Sequence, residues 1–182
     1  MRVTICCSWS ESIDKKYADA SKEVLEFLAS NDCDLNWGSG PLSLMGLCYN
    51  VFKDHKRKIY GYTTPKYTYF LKDLDYATHE IYDTTFELKT HMFEDASFLL
   101  MLPGGTGTIS EFFTYLEEVR SNDKVKPLIL YNAHHHFDKV ISLIDDLVER
   151  KFNKPEIKDY FKVANNLEEF KTIYEQIKDS QP

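Results

Sequence analysis

Arginine is sparse in this 182-residue chain. Only Arg2, Arg57, Arg120 and Arg150 are present, and the 22 basic residues face 29 acidic ones for a formal charge of −7. With that balance and no basic stripe, the chain has little general attraction for a phosphate backbone, so nucleic-acid partners are not expected. Long apolar runs are also missing. Nothing approaches the roughly 20 apolar residues that span a bilayer, and Met1-Arg2-Val3-Thr4-Ile5-Cys6-Cys7 turns polar too early for a secretory signal. The expectation is a cytoplasmic protein without membrane association. Cysteine is confined to Cys6, Cys7, Cys33 and Cys48 with no CxxC pair, which reads as buried free thiols rather than a metal or redox site. Three adjacent histidines, His134-His135-His136, cannot all face one ion unless they lie on an irregular loop, so they read as a solvated loop and no metal is expected.

Glycine is scarce too, and its placement is informative. Six of the seven glycines lie in two short stretches, Trp37-Gly38-Ser39-Gly40-Pro41-Leu42-Ser43-Leu44-Met45-Gly46 and Pro103-Gly104-Gly105-Thr106-Gly107-Thr108-Ile109-Ser110-Glu111; Gly61 stands alone. What is plentiful is apolar material: 43% hydrophobic residues, with 12 Tyr, 12 Phe and 2 Trp, enough for the core of one domain over 1–182. Short apolar runs at 3–7, 33–37, 58–62, 98–102 and 128–131, with weaker ones at 77–82 and 161–163, predict strands. Helical spacing predicts helices at 15–29, 43–53, 84–93, 108–120, 137–148 and 167–177. Alternation of this kind with apolar central strands predicts an α/β fold, a doubly wound parallel sheet covered on both faces, which binds ligands beyond the carboxyl ends of its strands.

Both glycine stretches follow predicted strands. Backbone without Cβ can approach a ligand closely, and a helix start adds partial positive charge, so a phosphate is the natural occupant. Neither stretch is GxxxxGK[ST] or a full GxGxxG, which favours a small phosphate monoester over a triphosphate or dinucleotide. Thr108 and Glu111 also have capping-box spacing, which would put Thr108 at the N-cap and Glu111 in the first turn, ionised at neutral pH and suited to stabilising a cationic transition state or orienting water.

The second stretch matches the PGGxGTxxE signature of the Lonely guy (LOG) family, cytokinin-activating nucleoside 5′-monophosphate phosphoribohydrolases often labelled lysine decarboxylases, and the chain is identified as a member on that resemblance. Gly38 to Gly46 is similar to the family's GGGxxGLMG turn. The resemblance implies a Rossmann-like fold, a homodimer, no metal or coenzyme, and hydrolysis of the bond between a base and ribose 5-phosphate. It implies phosphate held at Gly104, Gly105, Thr106, Gly107 and Thr108, with Glu111 acting at the ribose and Gly38, Ser39, Gly40 and Met45 binding substrate. Ser8 is a further binding candidate, although Cys7-Ser8-Trp9-Ser10 lacks the glycine of the family's CGSS-like segment. In the family's MxxRKxxM motif, aligned on residues 85–92, Lys89 and Met92 match while Leu88 stands in place of Arg. Lys89 is therefore the catalytic cation candidate and His91 a proton donor candidate. A nucleotide-binding or sensing protein of the same fold is the alternative. Trp9, Tyr62, Tyr67 and Tyr69 are candidates to stack on a base. The predicted helix carrying Phe112, Phe113, Tyr115 and Leu116 has more apolar surface than one sheet contact needs, which points to a dimer face.

Overall fold

The computed structural model describes residues 1–121 and 126–180. Seven strands, β1 (Arg2–Cys6), β2 (Asp34–Trp37), β3 (Ile59–Thr63), β4 (Thr78–Ile81), β5 (Phe98–Met101), β6 (Leu128–Tyr131) and β7 (Lys162–Ala164), form one parallel sheet in the order β4-β3-β2-β1-β5-β6-β7. Among the described residues five α-helices lie between strands, α1 (Lys15–Ser30), α2 (Ser43–Asp54), α3 (Thr85–Glu94), α4 (Thr106–Ser121) and α5 (Asp138–Glu149), a 3-10 segment joins β3 to β4, and α6 (Leu167–Asp179) follows β7. The central strands β5 and β6 are buried throughout because helices cover both faces, which is why FLLM and LILY show no polar alternation.

Alternate residues serve opposite cores. Val3 and Ile5 of β1 and Phe98 and Leu100 of β5 pack with Val24, Leu25 and Leu28 of α1 and Phe170 and Tyr174 of α6. Cys6, Leu99 and Met101 face the other way, onto Met92 and Phe93 of α3 and Phe112 and Tyr115 of α4. The doubly wound sheet expected from the sequence is therefore present. Its order runs outward in one direction from β1 to β4 and then restarts on the other side of β1 with β5, so the reversal that creates a ligand crevice lies between β1 and β5.

Two expectations change. Cys33 and Cys7 flank strands rather than belong to them, since β1 ends at Cys6 and β2 starts at Asp34, although Cys33 is fully buried as a small hydrophobe. Most of the apolar surface of α4 is used within the chain: Phe112, Tyr115 and Leu116 are buried and Phe113 half-buried, with Phe112 edge-on to Phe161 at 5.4 Å and Tyr115 stacked on Phe93 at 5.9 Å. A short 3-10 stretch, Pro155–Tyr160, leads Phe161 onto that helix and uses the surface assigned to a partner. No helix among the described residues is long and apolar enough to cross a membrane.

Candidate functional site

Three of the chain segments that build the site lie at the carboxyl ends of β1, β2 and β5. The loop after β1 holds the other two together through its backbone: Ser8 N–H donates to the Pro103 carbonyl at 3.0 Å, and the Ser8 carbonyl accepts from Met45 N–H at 3.3 Å. The Ser43 hydroxyl, at the first position of α2, adds a bond to the Ser10 carbonyl at 2.6 Å. Ser8 thus clips one glycine turn to the other, and its own Oγ accepts from Ser10 N–H at 3.0 Å.

Helix α4 begins at Thr106, two residues before the predicted start. Its first intrahelical bond runs from Ile109 N–H to the Gly105 carbonyl at 3.0 Å, so the amides of Thr106, Gly107 and Thr108 precede the helical ladder. No acidic residue occupies this first turn, and a Cβ added to Gly105 or Gly107 would meet only open space. The turn has the form of an anion site. Gly104 is different, because a Cβ there would lie 2.1 Å from Thr108 Oγ1; its absence lets the buried threonine fold over the loop. None of the glycines has positive φ. They serve close approach, not handedness.

The early start of α4 overturns the capping-box reading. Thr108 is not the N-cap and Glu111 lies in the second turn, past the reach of the strongest dipole effect. Burial now dominates. It raises the Glu111 carboxyl above its ordinary value, against the opposing pull of the Cys6 thiol hydrogen bond and the Lys89 charge. Cys6 responds in kind: burial, then the facing carboxylate, push its thiol well up. The capping box exists one helix earlier, where Thr84 Oγ1 accepts from Glu87 N–H at 3.2 Å and the Glu87 carboxylate accepts from Thr84 N–H at 3.1 Å.

Glu111 opens into a cleft of about 410 Å³ with Gly38, Ser39 and Met45 on one wall and Thr63, Thr64 and Tyr67 on another. Trp9, Tyr62, Thr85 and Leu88 complete it. Leu88 lines the same cleft as Glu111. Lys89, one residue on, is outside the lining and donates to Ser110 Oγ at 3.1 Å, reaching Glu111 through its charge. His91 turns away, stacked on Tyr82 at 4.6 Å and 3.7 Å from a Glu94 carboxylate oxygen. Gly40 supports the wall from behind, since a Cβ there would lie 2.7 Å from Met45 Sδ and 3.1 Å from Trp9 Cε3. Of the four aromatics singled out for stacking, Tyr69 is exposed against Phe70 and does not line the cleft.

A second, smaller hollow of about 230 Å³ lies beside the glycine turn, lined by Ser8, Ser10, Tyr17, Gly104, Gly105 and His136 among others. His136 is the residue that sequence reasoning missed. His134 and His135 are exposed with φ of 51° and 60°, as befits an irregular loop, but His136 is half-buried. Its Nε2 lies 3.1 Å from Gly104 N and 2.8 Å from Gly104 O; one nitrogen cannot donate and accept at once, so these are alternatives set by the tautomer. The available signal was topological: the histidines follow β6, the neighbour of β5 in the sheet. Among the described residues no three metal-ligating side chains cluster.

An open parallel sheet with a phosphate-type turn and a half-buried carboxyl facing a cleft defines a Rossmann-like fold with a candidate ligand site. The chain belongs to the family described as possible lysine decarboxylase, whose model matches residues 45–173. It is 26% identical over 186 residues to cytokinin riboside 5′-monophosphate phosphoribohydrolase LOG3 of Arabidopsis thaliana, spanning 97% of this chain and 86% of that one. LOG1 of the same plant, with the same activity in its name, is 27% identical over 157 residues, spanning 85% and 73%. Among solved structures, the molybdenum cofactor carrier protein of Chlamydomonas reinhardtii superposes with a TM-score of 0.71 over 98% of both chains at 13% identity, a likeness of fold.

Proposed function

We propose that the protein hydrolyses the N-glycosidic bond of a nucleoside 5′-monophosphate to free base and ribose 5-phosphate. The observation that carries this reading is the position of Glu111: one turn beyond the anion-type start of α4, its carboxyl opening into a cleft wide enough for a base. In this reading the backbone of Gly104 to Thr108 holds the phosphate, Glu111 meets the ribose, and Trp9, Met45 and Leu88 enclose the base. As the bond to the base breaks, positive charge develops at the sugar carbon, and a carboxylate fixed in a water-poor cleft stabilises it. The raised pKa suits Glu111 to accept a proton from the attacking water, whose oxygen joins the sugar, and that proton passes on to the departing base. Lys89 tempers that shift through its charge. Water is the only co-reactant the step requires. The activity of the similar phosphoribohydrolases supports the same bond type.

The test is incubation of purified protein with AMP, GMP, CMP, UMP and an N6-substituted AMP, assayed for free base and ribose 5-phosphate. A second reading is favoured by one observation, Leu88 facing the cleft where the family pattern has a cation: a nucleotide-binding protein that cleaves poorly. Tight AMP binding without product would select it. In either reading phosphate anchors the ligand, so adenosine should bind much more weakly than AMP. We further propose a homodimer, formed not by α4 but by the apolar surface left at the β4 to α3 connection, where Ile81 is 55% and Phe86 73% exposed.

A further inference from the structure

Ser39 and His79 form a hydrogen-bonded pair that the reaction above does not use. Ser39 holds φ at 53°, in the left-handed region that favours glycine, at a position where the family pattern GGGxxGLMG carries glycine. Its Oγ lies 3.0 Å from His79 Nδ1, and His79 Nε2 lies 2.9 Å from the Leu74 carbonyl oxygen. A carbonyl only accepts, so Nε2 bears hydrogen; in the neutral ring Nδ1 then accepts from the serine hydroxyl. Gly61 of β3 makes room for this arrangement, since a Cβ there would fall 2.3 Å from Ser39 Oγ and 2.4 Å from His79 Nδ1. A strained serine, a side-chain-free strand position opposite it and an imidazole engaged at both nitrogens agree with one another.

His79 does not line the cleft, but its two partners connect to different segments that do. Ser39 lies on the wall with Gly38 and Met45. Leu74, buried, ends the 3-10 segment Pro65–Asp73, which carries Tyr67 of the other wall. We propose that His79 is a positioning residue that ties these two walls together and thereby sets the width of the cleft for the planar ring of a bound nucleotide. This rests on the cleft being the base site.

The side-chain analogues separate the two bonds. His79→Asn keeps an acceptor near the place of Nδ1 but cannot reach Leu74, His79→Gln keeps a donor near the place of Nε2 but withdraws from Ser39, and His79→Ala removes both. In ligand-free protein, amide hydrogen exchange should rise over 38–46 and 64–76 in the alanine variant, over 64–76 alone in the asparagine variant and over 38–46 alone in the glutamine variant, with β5 and β6 unchanged. AMP affinity by calorimetry should fall about three- to tenfold per lost bond, and where turnover is measurable the loss should appear in KM with kcat preserved. Ser39→Gly should match His79→Gln, and combining the two should add nothing. Exchange rising only around residue 79, or evenly across the sheet, overturns the proposal, as does unchanged AMP affinity in the alanine variant. If wild-type protein binds no AMP, the base-site reading fails, and the exchange pattern still decides whether His79 joins the walls.

Discussion

Glu111 keeps its proton to higher pH in the folded chain than in the unfolded one, because burial disfavours its charge. Linkage fixes the sign: this group favours the fold at low pH, and that contribution is lost as pH rises from the ordinary glutamate range through the raised folded value. Glu111→Gln should therefore be more stable than wild type at neutral pH, with the gain vanishing below about pH 4, as denaturant titrations at the two pH values will show. The same substitution should lower turnover by about 10²- to 10³-fold, the usual cost of removing one electrostatic stabiliser. Leu88→Arg tests the opposite direction. A guanidinium introduced at a side chain that already faces the cleft should lower the Glu111 pKa and raise turnover about tenfold or more, measured as kcat/KM on AMP. Neutral or harmful Leu88→Arg in a fully active protein would mean another group has taken the arginine's role.

Adjacent glycines of one turn respond differently to a methyl group. Gly104→Ala forces Cβ against Thr108 Oγ1 and should cost about 1–3 kcal/mol, whereas Gly105→Ala meets open space and should be nearly neutral to folding while crowding a bound phosphate. Thermal melts with and without AMP separate these effects. Gly46 lies inside α2, where alanine ordinarily gains about 1 kcal/mol; here its Cβ would fall 2.2 Å from the Pro41 carbonyl oxygen, so Gly46→Ala should destabilise. At this scale the sequence was largely legible. Strand and helix cores follow apolar periodicity, and β4 and β7, the weaker candidates, are the edge strands with partly exposed residues. The start of α4 was misplaced because Thr108-Ile109-Ser110-Glu111 satisfies a capping pattern that is purely local, while burial of Thr108 against Gly104 is tertiary. Thr63 and Thr64 gave no signal at all: a threonine's presence in a cleft depends on which strand lies beside which.

Strand order is what joins these elements into a site, and no local pattern encodes it. The phosphate-type turn was readable from Pro103 to Glu111 alone, but its union with Met45, Tyr67 and Leu88 depends on β1 standing between β2 and β5. Assembly at the whole-molecule scale is tested by sedimentation at micromolar concentration, where a dimer is expected and Phe86→Glu should shift it toward monomer. The placement of β1 also has a bearing on biosynthesis. Its registers pair Val3 with Leu35 on one side and with Phe98 on the other, so the second partner emerges 98 − 3 = 95 residues after Val3. At about 5–20 residues per second, the nascent sheet waits some seconds with one edge of β1 unpaired. A ribosome-bound chain in that interval exposes to any passing strand the Arg2 and Cys6 carbonyls that later accept from Ser97 and Leu102, and chaperone occupancy should peak there and fall once β5 clears the exit tunnel.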